Sequence, residues 1–253
     1  MRFMMKLSRC SKDRNKATLG NLEVSYQVEH RDIKYPRIEV KPNAELLILL
    51  PPSVSSAKEI LESKEDWIYK KISSIDKAMD KIPAGRAGFE GKFVLFGNSY
   101  DINLERGRYS VKEDQYSLKV VSPKHINGLI HLKNWTKEQL RNRLTDLSEF
   151  VSNLTDVEYS KIYIREQTTK WASCSSKGNL SFNIRCAALP EELLRYLVLH
   201  EMVHLKEEEH DKAFWRTIGE LETNYEEKEE LLIGWWFLVH HNDFWNELVE
   251  DLK

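Results

Sequence analysis

A chain of 253 residues with 41% hydrophobic and 31% charged side chains can bury one large core or two small ones, and its composition is neither disordered nor fibrous. The formal net charge of −2 excludes a global field toward nucleic acid or a membrane surface. Cys10, Cys174 and Cys186 are an odd set without CxxC spacing, which excludes a disulfide framework and, with no apolar leader at the start, is read as a reducing, cytoplasmic setting.

Residues 1–20 open with Arg2, Lys6, Arg9, Lys12, Arg14 and Lys16 against Asp13 and are read as a frayed, solvated segment. Leu22, Val24, Tyr26 and Val28 alternate with polar neighbours, the pattern of a strand with one face on a core. Strands over 37–41 and 45–50 are expected around the turn Lys41-Pro42-Asn43-Ala44, and Pro51-Pro52 ends the segment. Ser56 and Glu59 have capping-box spacing, and Ile60, Leu61, Trp67, Ile68, Ile72, Ile75 and Met79 follow a helical period until Pro83, Gly85 and Gly88 break it. A second β segment is expected over 92–121, with Gly97-Asn98 and Arg106-Gly107 as turn points.

From about residue 133 the character changes. Leu140, Leu144, Leu147, Val151 and Leu154 form the stripe of an amphipathic helix, and Lys161 to Arg165 a short strand. Two strands, 168–174 and 180–186, are expected around the turn formers Ser175-Ser176-Lys177-Gly178-Asn179. Pro190, Glu191 and Glu192 suit the first turn of a helix that continues through Leu193, Leu194, Leu197, Val198, Leu199, Met202 and Val203. Apolar on nearly all sides, that helix should be buried and central. The longest apolar run, Leu231 to Val239, is half the length of a membrane span and is read as a buried helix or strand. Its Trp235, Trp236 and Phe237 must bury, either as a lid at a site mouth or in a remote core. The expected organisation is α+β: a segment 1–20, an antiparallel β-rich region 21–132 with a packed helix, a core of small sheet plus helices 133–232, and a C-terminal extension 233–253.

The buried helix contains His200-Glu201-Met202-Val203-His204. Histidines at i and i+4 share a helix face one turn apart and can reach one zinc ion, while Glu201, about 100° round, can serve as general base without being a ligand. Polar groups on such a helix are costly unless something pairs with them, and a metal does so directly. A catalytic zinc takes a third protein ligand and keeps one position open. His210, His240, His241, Glu208 and Glu209 all remain candidates for it, and His210-Asp211-Lys212-Ala213-Phe214-Trp215 is echoed by His240-His241-Asn242-Asp243-Phe244-Trp245.

The stretch Lys170-Trp171-Ala172-Ser173-Cys174-Ser175-Ser176-Lys177-Gly178-Asn179-Leu180-Ser181-Phe182-Asn183, followed by HEMVHLKEEEHDKAFW, resembles the YgjP-like metallopeptidases, relatives of the SprT and WLM group. The likeness is dense over residues 160–216 and looser upstream, with Lys170 where the family tends to have Arg, Ala172 where it has Gly, and no clear counterpart after about residue 232. It implies a zincin-like core with one zinc ion on His200, His204 and His210, Glu201 as base, and Phe214 and Trp215 as packing. A peptide or protein is the implied substrate. Lys170, Asn179 and Asn183 are the candidate substrate contacts, because a strand before a zinc helix can pair its edge with an extended peptide. Two other function classes are carried forward: hydrolysis of nucleotide phosphoanhydrides by the same activated water, and a non-catalytic zinc module acting near DNA. Neither a phosphate-binding Gly loop nor a basic stripe is present to favour them.

Overall fold

The computed structural model describes residues 15–41, 45–82 and 89–249, with backbone only at 125–127. The basic start with Cys10, the turn residues Pro42, Asn43 and Ala44, and the helix breakers Pro83, Gly85 and Gly88 lie outside the described residues. The fold is α+β, with three small sheets and seven helices among the described residues. It divides into two compact units, 1–74 and 75–253. The boundary expected at 132/133 falls inside a helix, His125–Thr155, and that at 232/233 inside another, Tyr225–His241.

In the first unit, β1 (Asn15–Leu19) forms a hairpin with β2 (Leu22–His30) through Gly20, whose φ of +55° a side chain would strain. β1 lies in the segment read as frayed; its alternation is too short to stand out, and pairing with β2 is what creates it. β3 (Arg37–Val40) and β4 (Leu46–Leu50) complete the order β1-β2-β4-β3, with β2 and β4 parallel, so the region is mixed rather than wholly antiparallel. Leu46, Ile48 and Leu50 meet Leu61 of α1 (Ala57–Ser63) and Ile68 of α2 (Glu65–Asp80) in one core. The expected single helix is two, joined at Lys64, and Ser56 caps the first by accepting from the Glu59 N–H. Trp67, expected on the apolar stripe, is exposed.

In the second unit, β5 (Phe93–Leu95), β6 (Asn98–Arg106), β7 (Ser110–Glu113) and β8 (Ser117–Ser122) repeat the same plan, in the order β5-β6-β8-β7 with β6 and β8 parallel. The β5–β6 turn places Phe96 and Gly97 at φ of 47° and 81°, and a Cβ on Gly97 would press on Pro190 at 3.1 Å. Phe96 and Gly97 donate their N–H groups to the carbonyls of Ala187 and Ala188, which fixes the chain just before the central helix.

α3 (His125–Thr155) starts eight residues before the change of character expected at 133, and Leu140, Leu144 and Val151 are buried while Leu154 is exposed. Beside it, β9 (Lys161–Arg165), β10 (Ala172–Cys174) and β11 (Asn179–Asn183) form a sheet in the order β10-β11-β9. The strand expected over 180–186 stops at Asn183, whose side chain accepts from the Arg185 N–H and opens a 3-10 turn over Ile184–Ala188. Then come α4 (Glu191–Val203), α5 (Lys212–Leu221), α6 (Tyr225–His241) and α7 (Asp243–Val249). Nine of the residues in α4 are buried, so it is the central helix that its composition predicts.

The apolar run 231–239 is the second half of α6, which packs against the end of α2: a Cβ on Gly234 would lie 2.5 Å from the Ala78 carbonyl oxygen, so the two backbones meet only because residue 234 is glycine. Trp235 lies tilted against Phe89, and Trp236 meets Trp171 edge to face. Of the two places open to these aromatics, the structure selects the core over a lid. No described helix is long and apolar enough to cross a membrane.

Candidate metal centre

Near its C-terminal end, α4 carries His200 and Glu201, with His204 capping that end. The chain then turns over residues 205–210 and enters α5, whose first N–H groups, on Ala213 and Phe214, are accepted by Asp211 Oδ1. That cap fixes where α5 begins and swings His210, the residue before it, back toward α4. Ligating atoms of His200, His204 and His210 all lie within 4.8 Å of one another, the one group of this kind among the described residues. Phe214, fully buried, floors the cluster: its ring centre is 4.6 to 4.9 Å from all three imidazoles.

Two of the three imidazoles are oriented through Nδ1. His204 Nδ1 lies 3.1 Å from the Glu207 carbonyl oxygen, and His200 Nδ1 3.3 Å from Glu229 Oε1. A proton on each Nδ1 leaves Nε2 with a free lone pair, and His200 Nε2 sits 2.8 Å from His210 Nε2. Burial holds His204 and His210 below the ordinary histidine range, and the crowding of three imidazoles lowers both further. Both shifts favour the neutral form, in which imidazole binds a metal.

Glu201 is 6% exposed, and its Oε2 has no hydrogen-bond partner among the described residues. Burial pushes its carboxyl up to about 7, against the pull of His200, of Lys170 and of a backbone hydrogen bond from Cys174. A carboxyl poised near neutrality beside a histidine cluster can both take and return a proton. The group opens into a cleft of about 530 Å³, walled by residues 172–176 on one side and by His200, Glu201, His204 and His210 on the other.

The candidate substrate contacts are not brought together with this group. Asn179–Asn183 is the middle strand of its sheet, paired on both sides, so the edge facing the cleft is Ala172–Cys174 instead. Asn183 is completely buried and donates to the carbonyls of Gln167 and Lys170, a structural role that leaves nothing for substrate. Asn179 donates from its backbone and its amide to Ser175 Oγ and so holds the β10–β11 turn. Lys170 is exposed and outside the cleft wall, near enough for its charge to act on Glu201.

His240, open as a third ligand by spacing, is spent on both nitrogens: Nε2 accepts from Arg185 Nε at 3.2 Å, and Nδ1 donates to the Trp236 carbonyl at 2.8 Å. Cys174 faces the cleft with a thiol raised to about 11, by burial first and by the Glu201 charge second. Glu229, with Tyr196 donating to the same Oε1 at 2.7 Å, is the residue that sequence reasoning missed. It hides in the charged run Glu226 to Glu230, yet it shares a helical stripe with Leu232 and Trp236, a carboxylate on an apolar face.

The sequence profile described as "YgjP-like, metallopeptidase domain" matches residues 34–233. A curated protein of Escherichia coli (strain K12), "UTP pyrophosphatase", is 48% identical over 40 residues, 16% of this chain and 24% of the relative, so the match spans about a quarter of that protein's length. A solved structure, "Crystal structure of the metallopeptidase zymogen of Pyrococcus abyssi abylysin", aligns with a TM-score of 0.32 and 27% identity, over 34% of this chain and 87% of the other.

Proposed function

The chain belongs to the YgjP-like metallopeptidase family, and from that premise we propose that it is a single-zinc hydrolase of peptide bonds, holding the ion on His200, His204 and His210 and using Glu201 as general base. The observation that carries this reading is the convergence of three imidazoles beside a buried carboxylate oxygen without a partner among the described residues. The donor set fits the ion: three nitrogen ligands and no other group between them is a catalytic rather than a structural zinc set. Zinc, when bound there, supplies Lewis acidity that acidifies water and polarises a carbonyl.

The protein's own part is proton traffic and positioning. Glu201 Oε2 accepts the proton of the attacking water and returns it to the leaving amine nitrogen, which would otherwise depart as an amide anion. The outer edge of Ala172–Cys174, with the Cys174 N–H already given to Glu201, offers its other backbone groups to an extended peptide, which sets the scissile carbonyl against the histidine cluster.

A second reading, hydrolysis of a nucleotide phosphoanhydride, is favoured by the likeness to the UTP pyrophosphatase. Against it, the cleft wall carries Glu201 and Glu208 and no described Lys or Arg, a poor setting for a triphosphate. The test is turnover of an unstructured protein and of UTP by zinc-loaded wild type and Glu201→Gln. The proposal expects peptide cleavage that falls about 10²- to 10⁴-fold in Glu201→Gln with zinc content unchanged. Turnover of UTP alone would move the substrate class to nucleotides, and equal rates in the two proteins would remove Glu201 from the chemistry.

A further inference from the structure

The geometry points to Glu229 as the positioning residue of the metal centre: from α6 it holds the His200 imidazole with Nε2 turned to the ion, and Tyr196 holds Glu229. The inference rests on the three-histidine reading above and adds a residue on another helix. The contacts are a relay in one direction. Tyr196, fully buried one turn before His200, donates its hydroxyl to Glu229 Oε1 at 2.7 Å, and the same oxygen lies 3.3 Å from His200 Nδ1. A carboxylate on the far nitrogen of a ligating histidine fixes its tautomer, stops ring rotation and raises the electron density at the metal-facing nitrogen.

α6 is also docked at points other than Glu229. Buried Lys228 and Arg195 of α4 both pair with Glu222, at 2.5 and 3.2 Å. Trp171 Nε1 donates to the Leu232 carbonyl at 3.1 Å, and Gly234 lies against α2. With the helix moored at these three places, the Glu229 carboxylate reaches His200, whose Nε2 lies 2.8 Å from His210 Nε2.

The test is zinc affinity, measured by competition with a chromogenic chelator at fixed pH, for wild type, Glu229→Gln, Glu229→Leu and Tyr196→Phe, with His200→Ala as the ligand-loss control. Far-UV circular dichroism and thermal melting of the metal-free proteins are recorded beside it. Glu229→Leu should weaken zinc about 10- to 100-fold, the range for such outer partners. Glu229→Gln keeps an acceptor for Nδ1–H but loses the charge and should fall in between. Tyr196→Phe should show a smaller loss in the same direction, while the metal-free melting curves stay close to wild type. Cobalt substitution gives a second readout: the visible spectrum of the Leu variant should shift as the site loosens. Zinc affinity in Glu229→Leu within twofold of wild type, with His200→Ala deficient, would overturn the inference while leaving the metal site standing. A wild type that binds no zinc would overturn the metal site itself, and this inference with it.

Discussion

Two segments of this chain read alike, His210-x-x-x-Phe214-Trp215 and His240-x-x-x-Phe244-Trp245, and the fold uses them in opposite ways. The difference begins at the helix caps. Asp211 caps α5 one residue after His210, whereas Asn242 caps α7 two residues after His240, accepting from the Trp245 N–H. The third residue past each cap turns inward, so Phe214 is buried in the first segment and Trp245 in the second. A shift of one residue rotates a helix by about 100°. It sends His210 out of its helix toward His200 and His204, and it leaves His240 inside α6, bonded to Arg185 and Trp236. A histidine is available to a metal only if the fold leaves one nitrogen unspent, and spacing alone does not say which histidine that is.

The largest effects should come from the two inward aromatics. Phe214→Ala and Trp245→Ala each open a cavity and should cost about 3–5 kcal/mol in denaturant unfolding. Only Phe214→Ala should also weaken zinc binding, since its ring supports all three imidazoles; equal metal affinities in the two variants would break the distinction.

A smaller effect follows from His240. Burial first, then the Arg185 guanidinium and neighbouring His241, depress its pKa from 6.5 to about 4. The unfolded chain binds this proton more readily than the folded one. The stabilisation is therefore complete above pH 6.5 and is lost as pH falls from 6.5 toward 4, by roughly 3 kcal/mol over the window. Chemical denaturation at pH 7.5 and 4.5 should show this loss in wild type and much less of it in His240→Gln.

The caps rank last. Asn242→Ala removes an N-cap and two buried donations, to the Phe89 and Lys92 carbonyls, and should cost roughly 2–3 kcal/mol. Asp211→Ala removes a cap at the exposed start of α5 and should cost about 1 kcal/mol. The reverse order in thermal melts would contradict the roles given to these residues.

The sequence makes the central helix legible because three signals coincide there: an apolar surface, a first turn with Pro190 and two glutamates, and histidines at i and i+4. What it hides is what tertiary pairing decides. The strand Asn15–Leu19 exists through its register with β2, and the placement of Asn179–Asn183 in the middle of its sheet follows from β9, which is parallel and distant in sequence. Asn183 looks like a substrate contact beside the metal motif, yet its amide is consumed in tying β11 to the Gln167–Lys170 segment. Glu229 stands in a run of charges, and its stripe with Leu232 and Trp236 marks an inward face without saying that α6 will lay it against His200. The matching plans of β1–β4 and β5–β8 are likewise a property of connection and order.

The central claim is that His200, His204 and His210, and not His240, hold one zinc ion. Elemental analysis of purified wild type, His210→Ala and His240→Ala after zinc loading tests it most directly. The account predicts one equivalent in wild type and in His240→Ala, and a large loss in His210→Ala. Zinc retained in His210→Ala but lost in His240→Ala, or no zinc in wild type, would contradict it.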